Sequence, residues 1–336
     1  MTPSTSIASV FVDVTEAQVI GYGDDVADVT VEPVGNPGPA NTLSIGAVNG
    51  GSAAAATLTG VAPAQVLNLT LPTGASAERN RLLNSTFAIN QCGLSGVVTL
   101  ASGQYGHDGL KAGSAGATYS FATVGLDTTI TLTAGSLIMP IEAAFIEGGS
   151  YTLSHAGTAQ ARIWQGYGSS GSGAYAAAPF TVQGLAAATQ TNVEFSVGTI
   201  LCPQFEPGGF ATPFERTSPA AQLAAARRYL ETSYPLNIAP GAPNIGGYEK
   251  RVAFSATDFY ASTIRFAAPK AGTPAISVYD QNSGAASTLY DATGAAHVAV
   301  SGYGVGVSTM GWEASAASGL TAGHIYQFHW IANAQI

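Results

Sequence analysis

Several groups of residues in this chain carry side chains able to do chemistry. His107 and Asp108 adjoin, and a histidine beside a carboxylate can move a proton, but such a pair needs a nucleophile or a second carboxylate folded against it, and none stands at a recognisable spacing. The pair reads as a turn. Asp24, Asp25 and Asp28 offer oxygen atoms to a hard cation such as calcium, yet lack the glycine-bearing spacing of a dedicated loop, and read as a solvated acidic turn. Gly302-Tyr303-Gly304-Val305-Gly306 has the glycine content of a phosphate loop; no helix signal follows it and its flanks look like strands, so it reads as a glycine-rich hairpin. Cys92 and Cys202 have no His or Cys at ligand spacing and read as buried reduced thiols, with a disulfide as the alternative.

The most informative cluster is aromatic. Trp164, Tyr167 and Tyr175 flank a Gly/Ser loop at 168–173; aromatic faces stack on the apolar faces of sugar rings, while Gln165, Ser169 and Ser170 can reach hydroxyls. The same residues fit the commoner arrangement of a core tryptophan with two surface tyrosines. Tyr303 and Trp312, with Tyr326, His329 and Trp330, form a second set open to the same two readings. No catalytic residue, metal ligand set or cofactor is assigned.

The elements that must position these groups are strands. Charged residues make up only 9% of the 336 residues, against about 25% in ordinary globular chains. A surface kept wet by Gly, Ser, Thr, Asn and Gln cannot be that of a helical bundle. The net charge of -9 opposes phosphate backbones and anionic lipid, so neither nucleic acid nor a membrane surface is an expected partner. An apolar content of 46% argues against disorder, and no stretch is long and apolar enough to span a bilayer. Residues 1–12 lack the basic start and apolar run of a secretory signal, so a protein made in a cytosol is expected.

Along the chain, residues 1–78 stand apart, with seven acidic and no basic residues. Strands are expected at 10–14 and 26–31, and then where Leu43, Ile45 and Ala47 and later Leu67, Leu69 and Leu71 alternate with polar or small residues. So small a module is marginal alone and leans on neighbouring chains. From 79 to 217, short apolar runs at 96–100, 117–124, 128–133, 143–146, 161–164, 180–182 and 192–197 are separated by turn residues, the pattern of a β-sandwich or jelly roll. Ser218 as N-cap and Pro219 at the first position predict a helix over 220–231. Strands at 251–254, 262–266, 275–279, 296–300 and 325–331 complete a third region, 218–336. The expected fold is mostly β: a jelly-roll or β-sandwich body with one short α-helix and a small N-terminal β attachment module.

Residues 80–93, Asn-Arg-Leu-Leu-Asn-Ser-Thr-Phe-Ala-Ile-Asn-Gln-Cys-Gly, resemble the opening of the sugar-binding-module-like domain found in tail fibres and related appendage proteins of tailed bacteriophages. Residues 204–216, Gln-Phe-Glu-Pro-Gly-Gly-Phe-Ala-Thr-Pro-Phe-Glu-Arg, resemble its ending, and residues 328–336 are similar to its closing strand. These motifs also have a purely structural explanation: Asn84, Asn90 and Gln91 can satisfy backbone groups, and Glu206 can pair with Arg216 across a turn. Arg227 and Arg228 read as a solvated helix face with Glu231 in reach.

The resemblance implies a non-enzymatic virion fibre or head spike, of a virus or a gene-transfer particle, assembled in the host cytoplasm. It would join other virion proteins through residues 1–78, associate as a homotrimer and bind a bacterial surface polysaccharide. Trp164, Tyr167, Tyr175 and Gln165 would make the contact, or alternatively Tyr303 and Trp312. The rivals are a structural decoration or adaptor protein, and a capsule depolymerase. A depolymerase calls for paired carboxylates in a groove and commonly a repetitive β-helix, of which the sequence gives no internal repeat.

Overall fold

The computed structural model describes residues 42–51, 54–72, 78–260, 263–316 and 319–336. The strands expected at 10–14 and 26–31 and the acidic trio Asp24, Asp25 and Asp28 lie outside the described residues. Two compact units divide the chain, Met1–Pro72 and Thr73–Ile336.

The described part of the first unit is one three-stranded sheet: β1 Thr42–Gly51, β2 Ala55–Thr59 and β3 Ala64–Pro72. The central β3 runs parallel to β1 and antiparallel to β2. Ile45 and Leu58 both lie opposite Leu67, and Val48 and Ala56 both lie opposite Leu69, so cross-strand partners place these side chains on one face. Ser44 and Thr59 opposite Val66, and Thr57 opposite Asn68, share the other face.

The second unit is β-rich throughout and contains two cores. Its first part holds β4 Val98–Leu100, β5 Lys111–Val124, β6 Asp127–Ile141, β7 Gly149–Ala156, β8 Ala161–Gln165, β9 Phe180–Leu185, β10 Thr191–Phe195 and β11 Gly198–Pro207. These strands form a β-sandwich, and β6 explains how the layers share strands. Its first half pairs with β11 and its second half with β10, while β5 follows it along the other edge. The bend falls at Gly135, where φ is +74° and a Cβ would collide with the Gly116 carbonyl oxygen. Tyr119, Leu132, Leu153, Val193 and Phe205 fill the space between the layers.

The second part begins with α1 Pro219–Ala226, then β12 Leu230–Thr232, β13 Glu249–Val252, β14 Ile264–Arg265, β15 Ala275–Asp280, β16 Thr288–Asp291, β17 Ala296–Val305, β18 Thr309–Ala316 and β19 Ile325–Asn333. β19 is the hub: it pairs with β12 and β13 on successive stretches, and likewise with β15 and β16. Leu289, Val298, Tyr326, Phe328 and Trp330 form the core here. Tyr326, His329 and Trp330 are therefore interior residues, which removes them from the second aromatic set; His329 stacks on Tyr234 with ring centroids 3.8 Å apart.

Two expected elements differ. The helix stops at Ala226, because residues 230–232 pair with 331–333 instead, and that pairing overrides the helix propensity of the run. Residues 143–146 are a single 3-10 turn (η1, Ala143–Phe145) and not a strand, with Glu142 before it held by Arg228 and Tyr229.

Candidate functional site

The motifs at 80–93 and 204–216 build a buried polar frame. Asn84 donates through Nδ2 to the carbonyls of Ile89 (2.9 Å) and Asp108 (3.0 Å) and accepts the Ile89 amide at 3.0 Å. Gln91 donates from its amide and its Nε2 to the two carboxylate oxygens of Asp108, at 2.8 and 2.6 Å, and from Nε2 to the Leu230 carbonyl at 2.7 Å. Asp108 is thus a buried strut under the opening motif. Burial raises its pKa against the lowering effect of the Gln91 bonds. Burial also lowers His107 to about 4, so at neutral pH an uncharged imidazole meets the Tyr119 hydroxyl at 3.0 Å.

At the closing motif, Gln204 accepts the Glu215 amide at 2.6 Å, and Glu206 accepts the Thr212 amide at 2.8 Å and its hydroxyl at 2.5 Å. Those bonds occupy Glu206, and the expected pair with Arg216 does not form: Arg216 grips Asp127 through two bonds of 2.6 and 2.8 Å, and the cation near Glu206 is Arg79 at 3.9 Å. Arg228 likewise pairs with Glu142 at 2.7 and 2.9 Å, while Glu231 turns to the buried Lys270, so the expected helix-face cluster is divided between two other partners. Cys92 and Cys202 are both free and half-buried, and burial pushes their thiols up to about 12 and about 11.

The aromatic cluster is organised by a residue the sequence did not single out. Arg162 on β8 and Glu194 on β10 are register partners, and the guanidinium holds the carboxylate through Nε at 3.0 Å and a second nitrogen at 3.1 Å. Onto the same carboxylate the Trp164 indole donates at 3.0 Å and the Tyr175 hydroxyl at 2.9 Å, and the guanidinium carbon lies 4.6 Å from the Tyr175 ring centre. Burial raises the Glu194 pKa, but hydrogen bonds from Arg162, Ser136 and Tyr175 outweigh it, leaving the carboxyl below its ordinary range. The visible signal was one charge in each of two short apolar runs, Ala161-Arg162-Ile163-Trp164 and Asn192-Val193-Glu194-Phe195. Opposite charges so placed call for each other across strands.

Of the four expected contact residues, the structure brings Trp164 and Tyr175 together on Glu194. Trp164 is only 8% exposed and Gly171 lies against its indole so closely that a Cβ would collide with it, which makes Trp164 a brace beneath the loop and not a stacking face. Gln165 is used elsewhere: its side-chain amide exchanges two 2.9 Å bonds with the backbone of Ala186. Tyr167, 82% exposed, is the aromatic ring open to solvent. The loop beside it is tied by Ser169 to Ser102 at 3.3 Å.

Tyr303 and Trp312 are Cα partners across the β17–β18 hairpin, closed by a 2.9 Å bond from the Gly306 amide to the Thr309 carbonyl, and their side chains lie outside what is described. One surface was missed altogether. Ile325 lies opposite Val252, the Tyr260 amide donates to the Val252 carbonyl at 2.9 Å, and the Phe254 and Tyr260 rings meet at 5.3 Å. All four side chains are exposed. The register responsible joins residues more than seventy apart, which no local pattern announces.

No known protein family, curated protein or solved structure matches this chain.

Proposed function

We propose that this chain is a non-enzymatic fibre or spike protein on the surface of a phage or phage-like particle, joined to the particle through residues 1–78 and contacting a bacterial surface glycan as a homo-oligomer. The observation that carries the reading is the open Tyr167 ring beside a Gly/Ser loop underpinned by the Glu194 clamp. An exposed aromatic face can lie on the apolar surface of a sugar ring. One such contact is weak, and repetition around an oligomer supplies the avidity. The motifs at 80–93 and 204–216 support the same reading through their resemblance to appendage proteins. Both carboxylate oxygens of Asp108, Glu194 and Glu206 accept bonds from donors within the fold, which favours a structural role for them over proton transfer.

The test is cell adsorption and glycan-array binding of Tyr167→Ala. Loss of one stacking ring removes about 1 kcal/mol per site, so adsorption of the oligomer is expected to fall severalfold or more while the melting temperature stays unchanged. Unaltered adsorption overturns the site. If Phe254→Ala or Tyr260→Ala abolishes adsorption instead, the contact belongs to the exposed strip around Val252. Release of reducing ends from capsule would replace the binding reading with a depolymerase.

A further inference from the structure

The C-terminal sheet carries a row of polar side chains, one from each of four adjacent strands. Lys250 on β13 lies opposite Gln327 on β19, Gln327 lies opposite Tyr290 on β16, and Tyr290 lies opposite His297 on β17. Register partners share a face. Their neighbours along the strands, Tyr326, Phe328, Leu289 and Val298, belong to the core, so the row faces away from it. Lys250 and His297 are exposed, and Gln327 and Tyr290 are half-buried. With strands ~4.8 Å apart, the row extends over about 14 Å.

Two observations set this row apart from an ordinary wet surface. Its polar ends are not used by the fold. Seven of the eleven basic side chains are paired with carboxylates, whereas Lys250 has no ion pair among the described residues, its ammonium lying 5.3 Å from the Tyr248 ring centre. The Gln327 amide and the Tyr290 hydroxyl likewise have no hydrogen-bond partner among the described residues. The imidazole at the end of the row, by contrast, is held in place. His297 donates from Nδ1 to Asp280 Oδ2 at 2.7 Å; Asp280 is fully buried, and its other oxygen accepts the amides of Asn282 and Ser283 at 2.8 Å each. A carboxylate on Nδ1 fixes the tautomer and leaves Nε2 for a ligand.

We propose that this row binds a carboxylate-bearing sugar of a cell-surface polysaccharide. The proposal rests on the glycan reading above, gives it an acidic class of ligand and does not depend on Tyr167. Lys250 takes the sugar carboxylate in a charge-assisted bond, while the Gln327 amide, the Tyr290 hydroxyl and His297 Nε2 take hydroxyls. Val252 and Ile325, two residues along from Lys250 and Gln327 on the same face, are exposed and offer apolar surface to the C–H side of the ring. One free cation in the row suits one carboxylate per sugar repeat; the close-set phosphates of a nucleic acid need many, and the net charge of -9 repels them.

The experiment is binding of the full chain to an array of paired polysaccharides, each printed intact and after reduction of its carboxylates to alcohols. Wild type should bind carboxylate-bearing members and lose about tenfold or more in apparent affinity on their reduced forms. Lys250→Gln should lose a similar factor on the intact members only, Lys250→Arg should recover most of it, and His297→Gln should weaken both forms alike. Arg265→Gln changes an exposed cation outside the row and should alter neither. An unchanged melting temperature reports that each variant is folded. Acidic binding that Lys250→Gln leaves intact, or that Arg265→Gln reduces equally, overturns the row and leaves the glycan reading standing. Wild-type binding that survives carboxylate reduction and is lost in Tyr167→Ala overturns the acidic class and returns the contact to the sandwich. If wild type binds no member, the glycan reading falls and this row falls with it.

Discussion

The N-terminal sheet and the β-sandwich that follows it are written in the same alphabet and end differently. In both, apolar residues alternate with polar ones along strands, as at Leu67, Leu69 and Leu71 and at Ile130 and Leu132. In the sandwich the alternation turns inward: Ile130 and Leu132 are buried against the opposite layer. In the sheet the same pattern leaves Ile45 and Leu58 in water. Alternation decides which side chains share a face; what covers that face depends on how many strands remain to fold over it. The sandwich has eight strands and bends β6 across two layers, while the sheet has three strands and no second layer among the described residues.

Three measurements press on this contrast. Phe205 is fully buried and stacks on Tyr151 with ring centroids 5.0 Å apart. Phe205→Ala should therefore cost about 3–5 kcal/mol in denaturant unfolding; a loss below about 1 kcal/mol would mean that the closed layers are not what stabilises the sandwich.

The next effect is set by pH. His107 has a folded pKa of about 4, below its ordinary 6.5, so on acidification the unfolded chain binds the proton first. Stability is then complete above about 6.5 and falls on the way down to about 4, by on the order of 3 kcal/mol. Asp108, raised by burial, returns part of this at the acid end. His107→Gln should flatten the slope of unfolding free energy between pH 6.5 and 4, and a slope that survives the substitution assigns the acid sensitivity elsewhere. No ionisable side chain lies between residues 42 and 72, so the sheet adds no titration of its own.

The smallest effect belongs to the outer face of the sheet. Thr57 is exposed and lies opposite Asn68, and Thr57→Ala should change the melting free energy by less than ~0.5 kcal/mol. A larger loss would show that the polar side is covered as well, and the two regions would then differ less than their exposure suggests.

What could be read in advance follows the range of the interaction. The helix start was legible because capping is local: the Ser218 hydroxyl accepts the Ala221 amide at 3.3 Å and Pro219 takes the first helical position. Its end was not, since the strand that captures Leu230–Thr232 is a hundred residues further on. The polar roles of Asn84, Asn90 and Gln91 were visible because a motif dense in amides next to apolar residues must satisfy itself. The Trp164 loop was visible as composition only. Composition gives the ring and the glycines but not the carboxylate beneath them, because Glu194 reaches Arg162 through strand register, and register is settled by the whole sheet.

The two ends of the sandwich are clasped together. The Glu215 side chain holds the amides of Glu78 and Asn80 at 2.7 and 2.8 Å, and the Arg81 amide meets the Phe205 carbonyl at 2.8 Å. The sandwich therefore starts and finishes at a single point. A body built this way can be spliced into a host chain, or opened at new termini once a short linker joins the old ones, without disturbing its layers. The tethers that reach past it, Gln91 to Leu230 and Glu142 to Arg228, are the bonds that such a rearrangement would have to replace.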